Sequence, residues 1–136
     1  MYAPINQNKT KIMAKIRTPY TKVGRLKSTI ARQAHLKCAD IYVSENEIKH
    51  IENKHSVELE QLGLPADVYV KTIINNFNEI REGANGSILL VIFEKDNDFH
   101  NTAALTLNYS IEEGFWEVKT AQPRNTKNLL KKKKIW

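Results

Sequence analysis

The sequence predicts an α+β domain in which N-terminal helices pack on a small antiparallel meander sheet of three to four strands. Two observations predict this class. Apolar residues recur at helical spacing in several segments before residue 81, whereas strand-type patterns follow from residue 88 onward. Helices and strands that are segregated along the chain are typical of α+β proteins. The length of 136 residues suits a single hydrophobic core.

The first helices are predicted by apolar spacing and by a capping pattern. Between residues 21 and 36 apolar side chains lie at helical intervals, which predicts a short basic helix (Val23, Leu26, Ile30, Ala34). Residues 40–43 then have the pattern of a short strand. Ser44 is expected to open the next helix as part of a capping box. Its hydroxyl can accept a hydrogen bond from the backbone N–H of Glu47, and the Glu47 carboxylate can accept one from the backbone N–H of Ser44. This helix is expected to end at about His55.

A longer helix is predicted to start at Pro65, since proline is tolerated in a first turn, where its missing N–H would be unpaired anyway. Gly83 and Gly86 follow the predicted helix and are expected to end it. Its apolar residues recur at helical spacing as far as residue 80: Val70, Ile73, Ile74, Phe77 and Ile80.

Three strands are predicted after these helices. Residues 88–93 are apolar throughout, as in a strand that is covered on both faces. Residues 102–109 are predicted to form the second strand, because the apolar side chains of Ala103, Leu105, Leu107 and Tyr109 alternate with smaller or polar ones. Residues 115–121 are predicted to form the third strand. Pro123 is expected to stop that strand. Simple alternation places Thr120 on the same face as Trp116.

The charge distribution divides the chain into three segments. Residues 1–37 contain nine lysines or arginines and no acid, residues 119–136 contain seven and no acid, and the segment between them holds all 15 acids. We therefore predict a basic N-terminal arm with a short helix over 1–37, an α+β domain over 38–125 and a basic C-terminal tail over 126–136. Basic ends of this kind commonly bind nucleic acid, and RNA is the predicted partner. The alternative is that they neutralise an acidic surface of this chain or of a neighbour.

The sequence argues against several other classes of protein. No run of about 18 apolar residues could span a membrane, and the polar N-terminus lacks the apolar core of a secretory signal. Cys38 is the only cysteine, so no internal disulfide can form, and no histidine or cysteine pattern has zinc spacing. We therefore expect a cytoplasmic protein that has no membrane partner, no metal and no other cofactor.

Two histidines near the middle of the chain are the first candidates for catalysis. His50 and His55 lie five residues apart, which is the wrong interval for a metal pair on one helix face. Helical geometry turns His55 toward the face of Ile48 and Ile51, whereas His50 points elsewhere. A histidine at the rim of an apolar layer can serve as an acid or a base; the alternative is a structural histidine in the core. The other two histidines are expected at the surface: His35 and His100.

The end of the third strand supplies the second group of candidates. Thr120 offers a hydroxyl, and the expected substrate-binding cations are Lys119, Arg124 and, from the helix, Lys54. If the helix packs on the face of Thr120, His55 and Thr120 could meet at one rim. Such groups suit metal-free RNA cleavage, in which a base removes the 2′-OH proton, an acid protonates the leaving 5′ oxygen and cations stabilise the charged phosphorus centre. RNA carries its own nucleophile, so the protein need not supply one.

Two short segments carry a resemblance to a known nuclease fold. The helix ends in the pattern His-Ile-x-x-Lys-His at His55, and the last strand ends in Val-Lys-Thr-Ala at Ala121. With the order of elements over residues 39–125, these segments resemble the phage- and toxin-associated branch of the barnase–EndoU–colicin–RelE nuclease fold. The resemblance implies a metal-independent endoribonuclease with His55 and Thr120 in catalytic positions and His50 as a second histidine. A toxin or phage effector of this kind would have a cognate inhibitor protein, either an immunity protein or an antitoxin.

Two other functions are compatible with the same sequence features. The chain could be a non-catalytic nucleic-acid-binding protein on the same scaffold. It could also be a phage-type interaction protein that holds an acidic partner with its basic ends.

Overall fold

The computed structural model describes residues 19–136, which form one folded sheet with helices on it. The strands are β1 (Tyr20–Leu26), β2 (Ala39–Ser44), β3 (Glu79–Glu82), β4 (Ile88–Ile92), β5 (Phe99–Asn108) and β6 (Phe115–Asn125). The α-helices are α1 (Ser28–Ala34), α2 (Glu45–Lys54), α3 (Ser56–Leu62), α4 (Ala66–Asn76) and α5 (Thr126–Leu130). The α+β class is confirmed, but the helices are interleaved with the strands rather than gathered at the N-terminus.

All six strands belong to one mixed sheet in the order β1-β2-β6-β5-β4-β3. β2 and β6 run parallel, with Ile41 opposite Trp116, whereas every other neighbouring pair is antiparallel. The predicted meander is correct for β4, β5 and β6. The prediction of only three to four antiparallel strands is wrong for the sheet as a whole, because β1 and β3 form from segments whose local apolar spacing favours a helix.

β1 replaces the first part of the basic helix that the sequence predicts over residues 21–36. A bulge between Lys22 and Gly24 leaves Val23 as an extra residue opposite β2. Val23 and Leu26 are therefore both buried although they lie three residues apart, an interval that imitates helical spacing. Only the second part of the segment is helical, as α1. Residues 1–18 of the predicted arm lie outside the described residues.

The predicted start of α2 is confirmed. The backbone N–H of Glu47 donates to Ser44 Oγ at 3.1 Å, so the serine caps the helix. Pro65 directly precedes α4, as expected, but α4 ends at Asn76 instead of Ile80. Ile80 lies in β3, where it pairs with Leu90 of β4. Pairing with a strand further along the chain thus outweighs the local helical period. No helix within residues 19–136 has both the length and the apolar character needed to cross a membrane.

The two faces of the sheet are covered differently. The face that we call the first face carries the main core and packs against α1, α2 and α4; among its residues are Ile41, Val118, Leu105, Leu90 and Ile80. The opposite, second face has a small apolar cluster around Phe115 near one end and another around Leu129 of α5 near the other. Polar side chains occupy the second face between them, among them Glu117 and Thr106.

β6 continues through Pro123 to Asn125, so the prediction that Pro123 stops this strand is wrong. The partner of Pro123 is Asn101 of β5. β2 ends at Ser44, and beyond that level no strand of the described chain pairs with the other side of β6. Proline is tolerated at such an edge, because its missing N–H would face no partner strand.

Residues 126–136, predicted as a basic tail, are joined to the sheet. α5 buries Leu129 completely, and beyond α5 the backbone N–H of Ile80 donates to the carbonyl oxygen of Trp136 at 3.0 Å. The N–H of Ile135 donates in turn to the carbonyl oxygen of Ile80 at 2.8 Å. The buried Arg81 donates to the carbonyl oxygen of Lys132 at 2.9 Å. The backbone of the four-lysine run at residues 131–134 is therefore fixed beside β3.

Candidate active site

The predicted site residues lie on two elements that pack against each other, α2 and β6. α2 directly follows β2, which pairs with β6 in parallel and ends at Ser44. The helix therefore lies beside the part of β6 that extends beyond the end of β2. α2 with its C-cap supplies three of the residues and β6 supplies the other three: His50, Lys54 and His55; Lys119, Thr120 and Arg124.

His55 is held between α2 and α3 by a carboxylate. It caps the C-terminal end of α2, begins α3 and is only 7% exposed. Its Nδ1 lies 2.7 Å from Oε2 of Glu58. Since a carboxylate can only accept, the neutral ring carries its proton on Nδ1 and has its lone pair on Nε2. An imidazole that is oriented in this way by a carboxylate is suited to proton transfer at its second nitrogen.

Glu58 is a candidate that the sequence analysis does not single out. It lies one helical turn after His55, in a helix that the apolar pattern does not predict. The sequence signal that could have identified Glu58 is its interval of three residues from His55, because side chains at that spacing are neighbours on one helix face. Predicting the interaction requires knowing that residues 56–62 are helical.

A bulge in β6 moves Thr120 away from the face on which alternation predicts it. Val118 pairs with Leu105 and Thr120 pairs with Ala104, so Lys119 is an extra residue between them. Directly paired residues share a face of the sheet, which puts Thr120 on the second face with Ala104. The prediction that Thr120 shares the face of Trp116 is therefore wrong. The register does not place it on the first face, against which α2 packs.

Three of the predicted residues carry a buried polar atom that the chain leaves unpaired. His55 Nε2, Thr120 Oγ1 and Arg124 Nε have no hydrogen-bond partner within residues 19–136. Native proteins pair nearly all of their buried polar atoms, and the exceptions call for an explanation such as a catalytic role or a bound water or ion. The unpaired atoms therefore belong to three residues that the sequence predicts as site residues.

Arg124 is a desolvated cation. Burial lowers the pKa of its guanidinium group, and Nη1 donates only a long hydrogen bond of 3.5 Å to Oδ1 of Asn128. No carboxylate in the described part of the chain forms an ion pair with Arg124. A guanidinium group that no carboxylate neutralises is suited to bind a phosphate.

A carboxylate on the second face is surrounded by donors, in a cluster that no local sequence pattern predicts. The hydroxyl of Tyr20 donates to Glu117 Oε2 at 2.6 Å, and Asn108 Nδ2 donates to Oε1 at 3.1 Å. Lys119 Nζ lies 3.8 Å from Oε2. Burial, and after it the hydrogen bond to Glu117, raises the pKa of Tyr20. Strand alternation alone predicts that Glu117 lies on this face. It does not predict the contact with Tyr20, because Tyr20 comes from β1, far away in the sequence.

The start of α2 shares the electrostatic environment of this cluster. Burial raises the pKa of Glu47, and electrostatic interactions with His50, Lys119 and Lys54 act in the opposite direction. These three predicted residues are thus close enough to influence one carboxyl group. His50, Lys54 and Lys119 are all exposed, unlike His55.

His100 is buried, so the expectation that it lies at the surface is wrong. Its Nδ1 accepts from the backbone N–H of Glu94 at 3.1 Å, and its Nε2 lies 2.7 Å from Thr126 Oγ1. Its ring stacks on Phe93 with the centroids 4.2 Å apart. Both nitrogens are engaged, which is typical of a structural histidine. His35 is exposed, as expected.

The described residues contain no group of three or more histidine, cysteine or acidic side chains that could hold a metal ion. Comparisons of the chain with protein families, with curated proteins and with solved structures give no match.

Proposed function

We propose that this chain is a metal-independent endoribonuclease that cleaves RNA through attack of the ribose 2′-OH. One observation carries the proposal: three of the six residues chosen from sequence have a buried polar atom without a hydrogen-bond partner among residues 19–136. They are His55 as acid–base group, Thr120 as hydroxyl and Arg124 as cation. Buried unpaired atoms of these three types are what a phosphodiester and its neighbouring ribose hydroxyl would need.

His55 is the proposed acid–base group, and Glu58 is its positioning residue. Nε2 would take the proton from the 2′-OH while the 2′ oxygen forms a bond to phosphorus. The bond from phosphorus to the 5′ oxygen then breaks, and the proton on Nε2 passes through solvent to that oxygen. The products are a 2′,3′-cyclic phosphate and a 5′-hydroxyl. Glu58 keeps the lone pair of His55 at Nε2 by holding the proton on Nδ1.

The phosphate would bind on the second face of β6. Arg124 offers an unneutralised guanidinium group there, and Thr120 offers a hydroxyl in the same strand. Lys119 supplies a further cation from the bulge. Because β6 is an unpaired edge beyond the end of β2, RNA could pass around this edge between Arg124 and the side of the sheet on which His55 lies. A role as toxin or phage effector is part of the proposal, with a cognate inhibitor protein as second partner.

RNA binding without cleavage is the second candidate function, and a specific observation favours it. The register of β6 places Thr120 and Arg124 on the second face, whereas α2, which His55 caps, packs against the first face. A protein that only binds RNA needs the cations and the hydroxyl but no histidine close to them. The two functions differ in one measurable property, which is cleavage.

We expect the purified chain to cleave single-stranded RNA in the presence of EDTA. The proposed chemistry uses only side chains and the 2′-OH of the substrate, so removal of divalent ions should leave the rate unchanged. The measurement is the rate of cleavage of an end-labelled RNA with EDTA and with added Mg²⁺ or Zn²⁺. Cleavage that depends on either ion would contradict the mechanism, and salt-sensitive binding without cleavage would establish the second candidate.

The salt dependence of RNA binding tests the basic residues around α5. Lys127 and Lys131 are exposed and form no ion pair within the described residues. Each phosphate neutralised adds about 0.7 to the slope of log affinity against log salt for a single strand. Replacing both lysines by glutamine should therefore lower the slope by about 1.4. Lys71→Gln, on the exposed surface of α4, is the control and should leave it unchanged. An unaltered slope in the double variant would favour a protein as the partner of these lysines.

A further inference from the structure

A cleft beside His55 has the composition of a nucleobase-binding site. The cleft has a volume of about 660 Å³, within the usual range for small-ligand pockets. It lies between α3 and the ends of β5 and β6 on the first face of the sheet. Its side chains include Glu58 and Gln61 of α3, Glu94 and Asn97 of the loop before β5, and Phe99 and Asn101 of β5.

The cleft contains an exposed aromatic ring. Phe99 is 62% exposed, although it is large and apolar and begins a strand whose other apolar residues are buried or half-buried. Proteins that recognise unpaired RNA bases commonly stack them on such a ring. Phe99 therefore offers a platform at the mouth of the cleft.

The polar groups of the cleft are mainly acceptors. Asn97 Nδ2 already donates to Glu94 Oε2 at 2.9 Å, which leaves the amide oxygen of Asn97 for a ligand. The hydroxyl of Tyr69 donates to Asn101 Oδ1 at 2.8 Å, which leaves the amide N–H groups of Asn101. Two carboxylates, from Glu58 and Glu94, can only accept. A ligand that fits this arrangement must bring several N–H donors.

The charge of the cleft excludes phosphate as its occupant. No lysine or arginine lines it among the described residues, and its two carboxylates would repel an anion. An RNA base is neutral, and adenine, cytosine and guanine each carry an exocyclic amino group with two N–H donors. Carboxylates and side-chain amides are the groups that read such amino groups in protein–nucleic acid complexes.

We propose that this cleft binds an RNA base that carries an exocyclic amino group, and that it is the base-recognition subsite of the nuclease. The link to cleavage rests on the proposed function. Glu58 joins the two sites, since it lines the cleft and its Oε2 lies 2.7 Å from Nδ1 of His55. Pro123 lines the cleft from β6, and Arg124 follows it in the strand. A nucleotide at this edge can thus place its base in the cleft and a phosphate beside Arg124.

The test is the binding of mononucleotides that differ at the position of the exocyclic amino group. CMP is compared with UMP, and AMP and GMP are each compared with IMP, by calorimetric titration. We expect at least one amino-bearing nucleotide to bind about tenfold more tightly than its oxo or unsubstituted counterpart. Phe99→Ala should weaken that nucleotide's binding about tenfold through loss of stacking. Tyr109→Ala is the matched control, because Tyr109 is equally exposed at 62% but does not line the cleft.

The results separate this inference from the proposed nuclease activity. Equal binding of all five nucleotides, or unchanged binding by a folded Phe99→Ala variant, would overturn the base-recognition cleft even if RNA is cleaved. Amino-selective binding that depends on Phe99, in a chain that cleaves no RNA, would support the cleft and overturn the nuclease. Circular dichroism of the Phe99→Ala variant verifies that it is folded.

Discussion

Replacing His55 by glutamine should lower the rate of RNA cleavage by about 10²- to 10⁴-fold, the usual contribution of a general acid–base group. Glutamine keeps a polar side chain that can hydrogen-bond to Glu58, but it cannot exchange a proton. The measurement is the single-turnover rate in EDTA at saturating enzyme, so that a change in RNA affinity does not enter.

Two further measurements make this result specific. His50→Gln should cost less than tenfold, because His50 is exposed and forms no ion pair with a carboxylate among residues 19–136, unlike His55. The melting temperature of His55→Gln must be close to that of the unaltered chain, since His55 is buried. A folded His55→Gln variant with full activity would remove His55 from the site. If that variant does not fold, Glu58→Gln provides the test: it should lower the rate at saturating enzyme and shift the pH profile of cleavage.

Replacing Trp136 by alanine should lower the free energy of unfolding by about 2–3 kcal/mol. Truncation of a fully buried tryptophan typically costs about 3–5 kcal/mol, and Trp136 is only partly buried. Its ring packs edge-on against Phe77 with the centroids 5.8 Å apart, and its Nε1 donates to Gln33 Oε1 at 2.7 Å. The Trp136 side chain therefore ties the C-terminal end of α4 to α1. Denaturant unfolding followed by fluorescence of the remaining Trp116 gives the free energy directly.

Leu130→Ala is the control for this prediction. Leu130 is apolar, lies six residues before Trp136 and is 62% exposed, so its truncation should change the free energy of unfolding by less than about 0.5 kcal/mol. If Trp136→Ala were equally neutral, the C-terminal segment would be an appendage and not part of the sheet. The salt-dependence experiment would then be better performed by deletion of the segment than by single substitutions.

Local sequence correctly predicts the elements whose residue pattern matches the burial and hydrogen bonding that they have in the fold. Ser44 caps α2 because a serine hydroxyl satisfies a backbone N–H at any helix start. β4 is predictable because a run such as residues 88–92 is buried on both faces wherever it lies. The burial of His55 also follows from local geometry, since its helical phase matches that of the buried Ile51.

Bulges explain two of the errors. At Val23 an extra residue in β1 produces an apolar interval of three, which is the interval of a helix. At Lys119 an extra residue in β6 reverses the faces of every residue that follows, Thr120 included. A bulge depends on the register between two strands, so neither sequence segment contains it alone.

Long-range pairing explains the misplaced end of α4 and the features that local sequence does not contain. Ile80 fits a helical period, but it is held in β3 by β4 on one side and by Ile135 and Trp136 on the other. The lysine run at residues 131–134 resembles a solvated tail because its charges dominate the composition, whereas its backbone is what pairs. Glu58 and Tyr20 are missed in the site because their roles depend on contacts across elements.

The chemistry of the product ends tests cleavage through the 2′-OH most directly. The chain is incubated in EDTA with a single-stranded RNA and with a DNA of the same sequence, and the products are analysed by mass spectrometry. We expect 2′,3′-cyclic phosphate and 5′-hydroxyl ends from the RNA and no cleavage of the DNA, which lacks the nucleophile. Ends that carry a 5′-phosphate, or cleavage of the DNA, would contradict the proposed mechanism.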